Sequence, residues 1–247
     1  MADNGGAMAP GTFFGVGVGP GDPELITIKA QRVLQQAPVI CLPKSREEGA
    51  SYVRTFVSHL IDPSRQQLVE LVFPMTKDRS VLEQHWAAAL KQVLTPLQEG
   101  RDVAFVTEGD PFIYSTFMHL YGLVIESHPE IPVQVIPGVS SINASAAAAG
   151  LPLVDGAERL AVLPATYEGD QLAEVLRLFD TVVLLKVNRV FDRVLGVLEE
   201  LDLAGRAVYV KRCGSEEQEV VRDVRTLRGK DLDYLSLLIV RKQGKAG

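Results

Sequence analysis

The segment Gly15-Val-Gly-Val-Gly-Pro-Gly-Asp-Pro23 lies at the end of an apolar run near the start of the chain. Two later turns have the same character, Glu108-Gly-Asp-Pro111 and Ile136-Pro-Gly-Val-Ser-Ser141, and each also follows an apolar run. Glycine lets a ligand approach the backbone closely, and proline fixes a turn. Because ligands bind at the carboxyl ends of strands in open α/β sheets, the three turns predict backbone groups gathered around one small molecule.

Apolar runs alternate with helical stripes along the first half of the chain, which predicts a mostly parallel sheet. The predicted strands are Thr12–Val18, Pro38–Leu42, Gln67–Phe73, Val103–Val106 and Val133–Ile136. The predicted helices are Leu25–Gln36, a stripe over Val53–Ile61, a stripe over Trp86–Leu97 that Gly100 closes, and Phe112–Ser127.

The second half has a different pattern, because a helix of small residues, Ser141–Ala149, opens it. The predicted strands that follow are Leu160–Leu163, Thr181–Val187, Ala207–Arg212 and Tyr234–Arg241, with a helical stripe over Val190–Leu201. We therefore place a domain boundary near 138–152, and predict one domain over 11–138, with a mostly parallel five-stranded sheet, and a second over 139–241. Residues 1–10 are predicted to form a disordered tail, with Met8 as an alternative start, and residues 242–247 form a second tail.

Composition narrows the class of protein. The 247 residues are 47% hydrophobic, which suffices for packed cores, and the net charge of −6 weighs against a broad basic face for nucleic acid. Cys41 and Cys213 lack CxxC spacing, so neither a disulfide nor a zinc site is expected. No apolar run approaches 18 residues, and no basic segment precedes an apolar block at the start. We expect a cytoplasmic enzyme without a membrane span.

Familiar nucleotide and metal motifs are missing. Gly15-x-Gly17-x-x-Pro20 lacks the third glycine of the dinucleotide fingerprint, and no GxxxxGK[ST] occurs. The histidines are dispersed along the chain and have no metal-ligand spacing. A resident metal is therefore not expected.

The three turns resemble those of the tetrapyrrole methylases in GVGVGPGDPELITIKA (15–30), EGDPFIYSTF (108–117) and VIPGVSSINASAA (135–147). This resemblance extends from about Thr12 to Arg241. It implies two α/β domains, the second with a mixed sheet, and S-adenosyl-L-methionine in the cleft between them.

Further segments resemble one branch, the precorrin-2 C(20)-methyltransferases of cobalamin synthesis. They are LPKS (42–45), LVFPMTKD (71–78), ERLAVLPAT (158–166), TVVLLKVNR (181–189) and YLSLLIVRK (234–242). The branch implies methylation of C-20 of precorrin-2 or its cobalt form, a homodimer, and neither nucleic acid nor membrane as partner. The alternatives are a methylase for another tetrapyrrole position, RNA or protein, and a ligand-binding module without catalysis.

The resemblance also implies residue roles. The residues implied to bind the cofactor are Pro20, Gly109, Asp110, Ile113, Ser140, Ser141, Leu185 and Gly214. Those implied to meet the substrate and its carboxylates are Gly21, Lys44, Arg46, Lys186, Arg189 and Arg212. Alternatives remain open here: Asp110 can cap a helix beginning at Phe112, the two serines can be N-caps, and the cations can be solvated surface charges.

The implied reaction needs no protein nucleophile, because the electron-rich meso carbon attacks the methyl group itself. The protein then contributes mainly positioning, and a base must remove the meso proton. The candidate bases are Asp22, Glu108 and Tyr114, although Asp22 can instead cap a helix and Tyr114 can instead pack. Glu108 is a departure from the family, since relatives often have an uncharged residue before the Gly-Asp-Pro turn.

Overall fold

The computed structural model describes residues 9–49, 51–76, 78–166 and 169–242. The predicted tails therefore lie largely outside the described residues, at 1–8 and 243–247. Contacts divide the chain into two compact units, with the division between Ser140 and Ser141. Each unit contains one five-stranded sheet.

The first unit is a parallel sheet with helices on both faces. Its strands are β1 (Phe13–Gly17), β2 (Val39–Lys44), β3 (Gln67–Val72), β4 (Val103–Thr107) and β5 (Val133–Ile136), in the order β3-β2-β4-β1-β5. Its helices are α1 (Ile28–Gln36), α2 (Val53–Val57), α3 (Arg79–Gln98) and α4 (Phe117–Ser127). Every pairing in this sheet is parallel, as the alternating pattern predicts.

Alternate residues of each central strand enter two separate cores. Ile40 and Ala104 pack with the apolar residues of α1 and α2, whereas Val39 and Phe105 pack with those of α3 and α4. All five residues of β4 are buried. Burial on both faces explains why these strands are continuous apolar runs.

The second unit contains a mixed sheet. Its elements are α5 (Ser141–Ala149), β6 (Leu160–Pro164), α6 (Gly169–Leu178), β7 (Thr181–Leu185), α7 (Phe191–Glu200), β8 (Ala207–Lys211), β9 (Glu219–Val221) and β10 (Ser236–Arg241). The strand order is β6-β7-β10-β8-β9, with β6 parallel to β7 and β10 antiparallel to both of its neighbours. The predicted fold class, a parallel and a mixed α/β sheet, is confirmed.

Two predicted helices begin too early. The helix predicted from Leu25 begins at Ile28, because Pro23–Leu25 form a separate 3-10 turn with Asp22 as its N-cap. The Thr27 hydroxyl then caps α1 by accepting from Ala30 N at 3.1 Å. The helix predicted from Phe112 begins at Phe117. Tyr114 has a φ of 52°, which a right-handed helix excludes.

Other predicted boundaries were wrong at strand ends. β7 and β8 stop before Lys186 and Arg212, whose positive φ values of 58° and 45° end the extended backbone. The stripe predicted over Val53–Ile61 is helical only to Val57. The prediction also missed β9, which has three residues, and α6, although Leu172 and Leu176 are buried at helical spacing.

Candidate functional site

The three glycine-proline turns lie together at one edge of the first sheet. Because β4, β1 and β5 are parallel neighbours, their carboxyl ends share that edge. Gly109 N donates to the Gly19 carbonyl at 2.8 Å, and Gly19 N donates to the Gly109 carbonyl at 3.4 Å. Gly138 N donates to Asp110 Oδ2 at 3.1 Å. The turn after β4 is therefore bonded to both of the others. The turns meet as predicted, and the small molecule among them stays a prediction.

Close packing explains two of the glycines. A Cβ built on Gly138 would lie 2.0 Å from the Gly109 carbonyl oxygen, and one on Gly17 would lie 2.6 Å from the same atom. Real Cβ atoms do not approach a carbonyl oxygen so closely, so these positions exclude a side chain. The turns can only meet because both residues lack one.

Asp110 joins two of the turns. Its Oδ1 accepts from Phe112 N at 2.9 Å and its Oδ2 accepts from Gly138 N at 3.1 Å. Because α4 begins only at Phe117, the interpretation of Asp110 as a helix cap is wrong. A carboxylate has about four lone-pair sites, so Asp110 retains acceptor capacity for a further donor.

Glu108 directly follows β4 and is half-buried at this edge of the sheet. Within the described ranges, its carboxylate has no hydrogen-bond or ion-pair partner. Burial raises the pKa of Glu108 to about 7, since desolvation disfavours the charged form. This side chain can therefore release and accept a proton near neutral pH.

The other two candidate bases have different surroundings. The Asp22 carboxylate accepts from Glu24 N at 2.9 Å and so caps the 3-10 turn Pro23–Leu25. Tyr114 is 46% exposed and has a left-handed backbone, next to Ile113, which is 41% exposed. A hydrogen bond links this segment to the end of β4, because the Ser115 hydroxyl lies 3.0 Å from Thr107 Oγ1.

The residues expected to bind substrate in the first unit differ in their exposure and in the hydrogen bonds that they already make. Lys44, at the end of β2, donates to Glu70 Oε2 at 2.9 Å and to the Glu47 carbonyl at 2.7 Å. Arg46, two residues later, is exposed. Gly21, in the turn after β1, has a φ of 142° and directly follows Pro20, a predicted cofactor contact.

Four candidate residues of the second unit lie at one edge of its own sheet. Because β7 and β8 are both antiparallel to β10, their carboxyl ends share an edge. Leu185 ends β7, Lys186 follows it, and Arg212 and Gly214 follow β8. Arg189 is exposed just before α7. Ser141 begins α5, directly after Ser140, the last residue of the first unit.

Sequence reasoning missed the acidic partners of Arg212. Its guanidinium binds Asp233 at 2.6 Å and Glu217 at 2.8 Å. Asp233 lies 21 residues away in sequence, and no local pattern marks it. In the part of the chain that the structure describes, no group of three metal-ligating side chains occurs and no helix is long and apolar enough to span a membrane.

One known family matches most of the chain. Residues 12–227 match the model of the Tetrapyrrole (Corrin/Porphyrin) Methylases. The chain belongs to this family. The predicted resemblance is thereby confirmed over most of the sequence.

Individual relatives are similar to this chain over different lengths. Precorrin-2 C(20)-methyltransferase from a Sinorhizobium species is 33% identical over 239 residues, 93% of this chain and 95% of that protein. Cobalamin biosynthesis protein CobIJ from Mycobacterium bovis is 37% identical over 222 residues, 86% of this chain. The match covers only 42% of CobIJ, so the chain spans less than half the length of that relative.

A solved structure is similar in fold. Uroporphyrin-III C-methyl transferase from Thermus thermophilus, complexed with S-adenyl homocysteine, has a TM-score of 0.68 and 24% sequence identity. The match covers 94% of this chain and 98% of that one. At this identity the likeness concerns the fold.

Proposed function

We propose that this chain transfers a methyl group from S-adenosyl-L-methionine to the C-20 meso carbon of precorrin-2, or of its cobalt form, in cobalamin biosynthesis. The observation that carries the proposal is the end-to-end similarity to a precorrin-2 C(20)-methyltransferase, over 93% of this chain and 95% of the relative. Membership of the tetrapyrrole methylases supports the same class of substrate.

The cofactor is proposed to bind at the glycine-proline turns. S-adenyl homocysteine, the demethylated form of the cofactor, is bound in the Thermus thermophilus protein of the same fold. In the first unit the proposed contacts are Pro20, Gly109, Asp110, Ile113 and Ser140. In the second unit they are Ser141, Leu185 and Gly214. Asp110 supports this assignment, because its carboxylate is held by two backbone amides and can still accept from a hydroxyl or ammonium group.

The methyl transfer itself is proposed to need no nucleophile from the protein. The C-20 carbon forms a bond to the methyl group, the S–CH3 bond breaks, and the sulfur keeps the electron pair. Fixed backbone groups hold the two reactants in line, and positioning of this kind is worth up to about 7–11 kcal/mol of the barrier. The C-20–H bond then breaks, and the proton must pass to a base.

Glu108 is the proposed acceptor of that proton. A general base works best when its pKa lies near the working pH, and burial raises the pKa of Glu108 to about 7. Asp22 is less suitable, because its carboxylate already caps a turn. Tyr114 remains an alternative acceptor near the same turn. Methyl transfer to C-20-deuterated precorrin-2 by Glu108→Gln, followed in a single turnover, would separate the two steps: the variant should form the C–C bond and lose the deuteron slowly.

The acidic side chains of the substrate are proposed to meet Gly21 and the cations at the strand ends. Arg46 and Arg189 are exposed and suited to this role. Lys186 has a left-handed backbone at the end of β7. Lys44 and Arg212 are already engaged by acidic side chains, at 2.9 and 2.6 Å, so a substrate carboxylate would have to compete there.

The decisive experiment uses labelled S-adenosyl-L-methionine with precorrin-2 and, separately, with its cobalt form. We expect a mass gain of one methyl group on at least one of them, with the label at C-20. Asp110→Asn should weaken cofactor binding, whereas Asp223→Asn, an exposed cap elsewhere, should not. Absence of product with both substrates would reject the proposal. Methylation at another position, or of RNA or protein, would favour the alternatives, and the net charge of −6 weighs against RNA.

Oligomeric state and location are further parts of the proposal. We propose a homodimer in the cytoplasm, on the basis of the family resemblance. Light scattering at micromolar concentration should give twice the mass of the 26.9 kDa chain. Fractionation of cells that express the protein should recover it in the cytoplasmic fraction. A monomer, or recovery with membranes, would reject the corresponding part.

A further inference from the structure

The segment Arg212–Gln218, which follows β8 and is here termed the β8 loop, is held by a dense set of bonds. Ser215 donates to the Arg212 carbonyl twice, from its backbone N at 3.1 Å and its Oγ at 2.9 Å. Gly214 N donates to Gln218 Oε1 at 2.9 Å, and Gln218 N donates to the Ser215 carbonyl at 3.0 Å. These hydrogen bonds fix the backbone conformation of the loop around Gly214.

The Arg212 side chain fastens this loop to the segment that enters β10. Its Nε donates to Asp233 Oδ2 at 2.6 Å, and its Nη1 donates to Glu217 Oε1 at 2.8 Å. Arg212 and Asp233 are mostly shielded from solvent, with 26% and 21% of their side chains exposed, whereas Glu217 is 68% exposed. The Asp233 contact is therefore the better shielded of the two.

Asp233 is itself fixed. Its Oδ1 accepts from Leu235 N at 2.8 Å, and the Ser236 hydroxyl donates to its backbone carbonyl. Burial by itself would raise the pKa of Asp233, but the hydrogen bonds from Arg212 and Leu235 hold it below its usual range. The carboxylate therefore stays charged and keeps its ion pair with the Arg212 guanidinium.

The backbone of Arg212 needs such support. Its φ of 45° lies in the left-handed region, which residues with a side chain rarely adopt. Strained conformations persist where the surroundings over-determine them, and they cluster at ligand-binding sites. Here the Arg212 backbone N also donates to the Leu235 carbonyl at 2.8 Å. Side chain and backbone therefore both fix the residue that begins the β8 loop.

We propose that Arg212 and Asp233 are positioning residues, which hold Gly214 and the β8 loop in the conformation that binds the cofactor. This inference rests on the proposed function, in which Gly214 contacts S-adenosyl-L-methionine. It replaces the interpretation of Arg212 as a substrate ligand. A guanidinium that already binds two carboxylates has its charge neutralised, which makes it a weak attractor for a third.

The test is calorimetric titration of the whole 247-residue chain with S-adenosyl-homocysteine. Asp233→Asn keeps the shape of the side chain and removes its charge, and should weaken binding at least tenfold. Asp233→Glu restores the charge and should recover most of the affinity. The affinity of Arg212→Lys should lie between those of the two Asp233 variants, because lysine keeps the positive charge but lacks the planar set of N–H donors of a guanidinium. Glu217→Gln, at an exposed position, should cost about threefold or less.

A matched control comes from the same unit. Glu199 binds Arg228 at 2.6 Å through an exposed pair in which the two side chains are 38% and 50% exposed. Glu199→Gln makes the same chemical change as Glu217→Gln at a different ion pair, and should leave affinity within twofold. Thermal unfolding of each variant without ligand shows whether the variant is folded. If Asp233→Asn does not fold, Arg212→Lys decides in its place, and an affinity equal to that of the unaltered protein would reject the positioning role.

The outcomes separate this inference from the proposed function. If the unaltered protein fails to bind S-adenosyl-homocysteine, the proposed function falls and the inference with it. If it binds but Asp233→Asn binds equally well, only the positioning role is rejected. If Arg212→Lys leaves cofactor affinity unchanged and raises the KM for the tetrapyrrole, Arg212 is a substrate ligand after all, and the inference is overturned.

Discussion

Glu108 is half-buried without a described partner for its carboxylate, and its energetics follow from that position. Desolvation raises its pKa to about 7, from 4.5 in the unfolded chain. A carboxyl group whose pKa is higher in the folded state binds more protons when folded. It therefore costs stability as the pH rises from the unfolded value toward the folded one. A carboxyl kept at this cost is consistent with a catalytic role.

Replacing Glu108 by glutamine should expose this cost. Below about pH 4.5 the two proteins should be similarly stable. Between about pH 5 and 7 Glu108→Gln should gain stability relative to the unaltered protein, and it should stay ahead by about 1–3 kcal/mol at higher pH. Urea unfolding at several pH values measures the difference. Glu48→Gln, at an exposed position, should differ by less than about 0.5 kcal/mol throughout. A pH-independent difference for Glu108→Gln would contradict the assignment.

A glycine pair tests the packing of the turns. Gly138→Ala would place a Cβ 2.0 Å from the Gly109 carbonyl, whereas a Cβ on Gly122 in α4 meets nothing within 4 Å. We expect Gly138→Ala to lose about 2 kcal/mol or more, because the turns must separate. Gly122→Ala should gain about 0.5–1 kcal/mol, because alanine is the better helix former. Thermal and urea unfolding measure both. Equal effects of the two changes would contradict the close approach of the turns.

The elements are bounded by polar side chains as well as by apolar periodicity. Asp22 is the N-cap of the 3-10 turn Pro23–Leu25, and Thr27 is the N-cap of α1. Ser115 accepts from Phe117 N at the start of α4. Such caps satisfy backbone donors that a helix leaves unpaired. Apolar spacing therefore locates these helices, and the capping residues decide where they begin.

Thr27→Ala should show the value of one such cap. The change removes the acceptor for Ala30 N and should cost about 1 kcal/mol. Thr95→Ala serves as the control, since this exposed hydroxyl donates to the Lys91 carbonyl inside α3 and caps nothing. It should be neutral or slightly stabilising, because alanine favours the helix. Urea midpoints at one pH measure both variants, and equal losses would show that the Thr27 hydroxyl is not a cap.

At the scale of the whole molecule, each unit has cores of its own. Among the residues that the structure describes, the first unit has two apolar clusters, one on each face of its sheet, and the second has a single large cluster around β7, β8, β10 and α7. The division at Ser140 follows from this distribution of contacts. Units with separate cores are able to unfold separately.

The single tryptophan makes this testable. Trp86 lies in α3, so its fluorescence reports on the first unit. Leu198→Ala removes a fully buried side chain from α7 and should cost the second unit about 2–5 kcal/mol. We expect far-ultraviolet circular dichroism to show an earlier phase in urea while the Trp86 transition keeps its midpoint. Leu97→Ala, equally buried in α3, should move the Trp86 transition. A common shift of both signals by Leu198→Ala would indicate a single cooperative unit.

The sequence by itself determined the family, the class of fold and most of the elements. Continuous apolar runs mark strands buried on both faces, and β5 and α5 occupy the predicted residues, Val133–Ile136 and Ser141–Ala149. The Gly/Pro turns identify the edge of the first sheet where ligands are expected. These features are local, because periodicity and turn chemistry reflect the burial and backbone angles of neighbouring residues.

Only the tertiary structure decided what the charged side chains do. Asp110 binds the amide of Gly138, 28 residues away, and Arg212 binds Asp233, 21 residues away. The order of strands in each sheet sets these partners, and the same runs of residues are compatible with many strand orders. Burial of Glu108 is likewise a property of the packed unit. A hydrogen-bond partner or a pKa depends on what lies nearby in space, and chain spacing does not encode that distance.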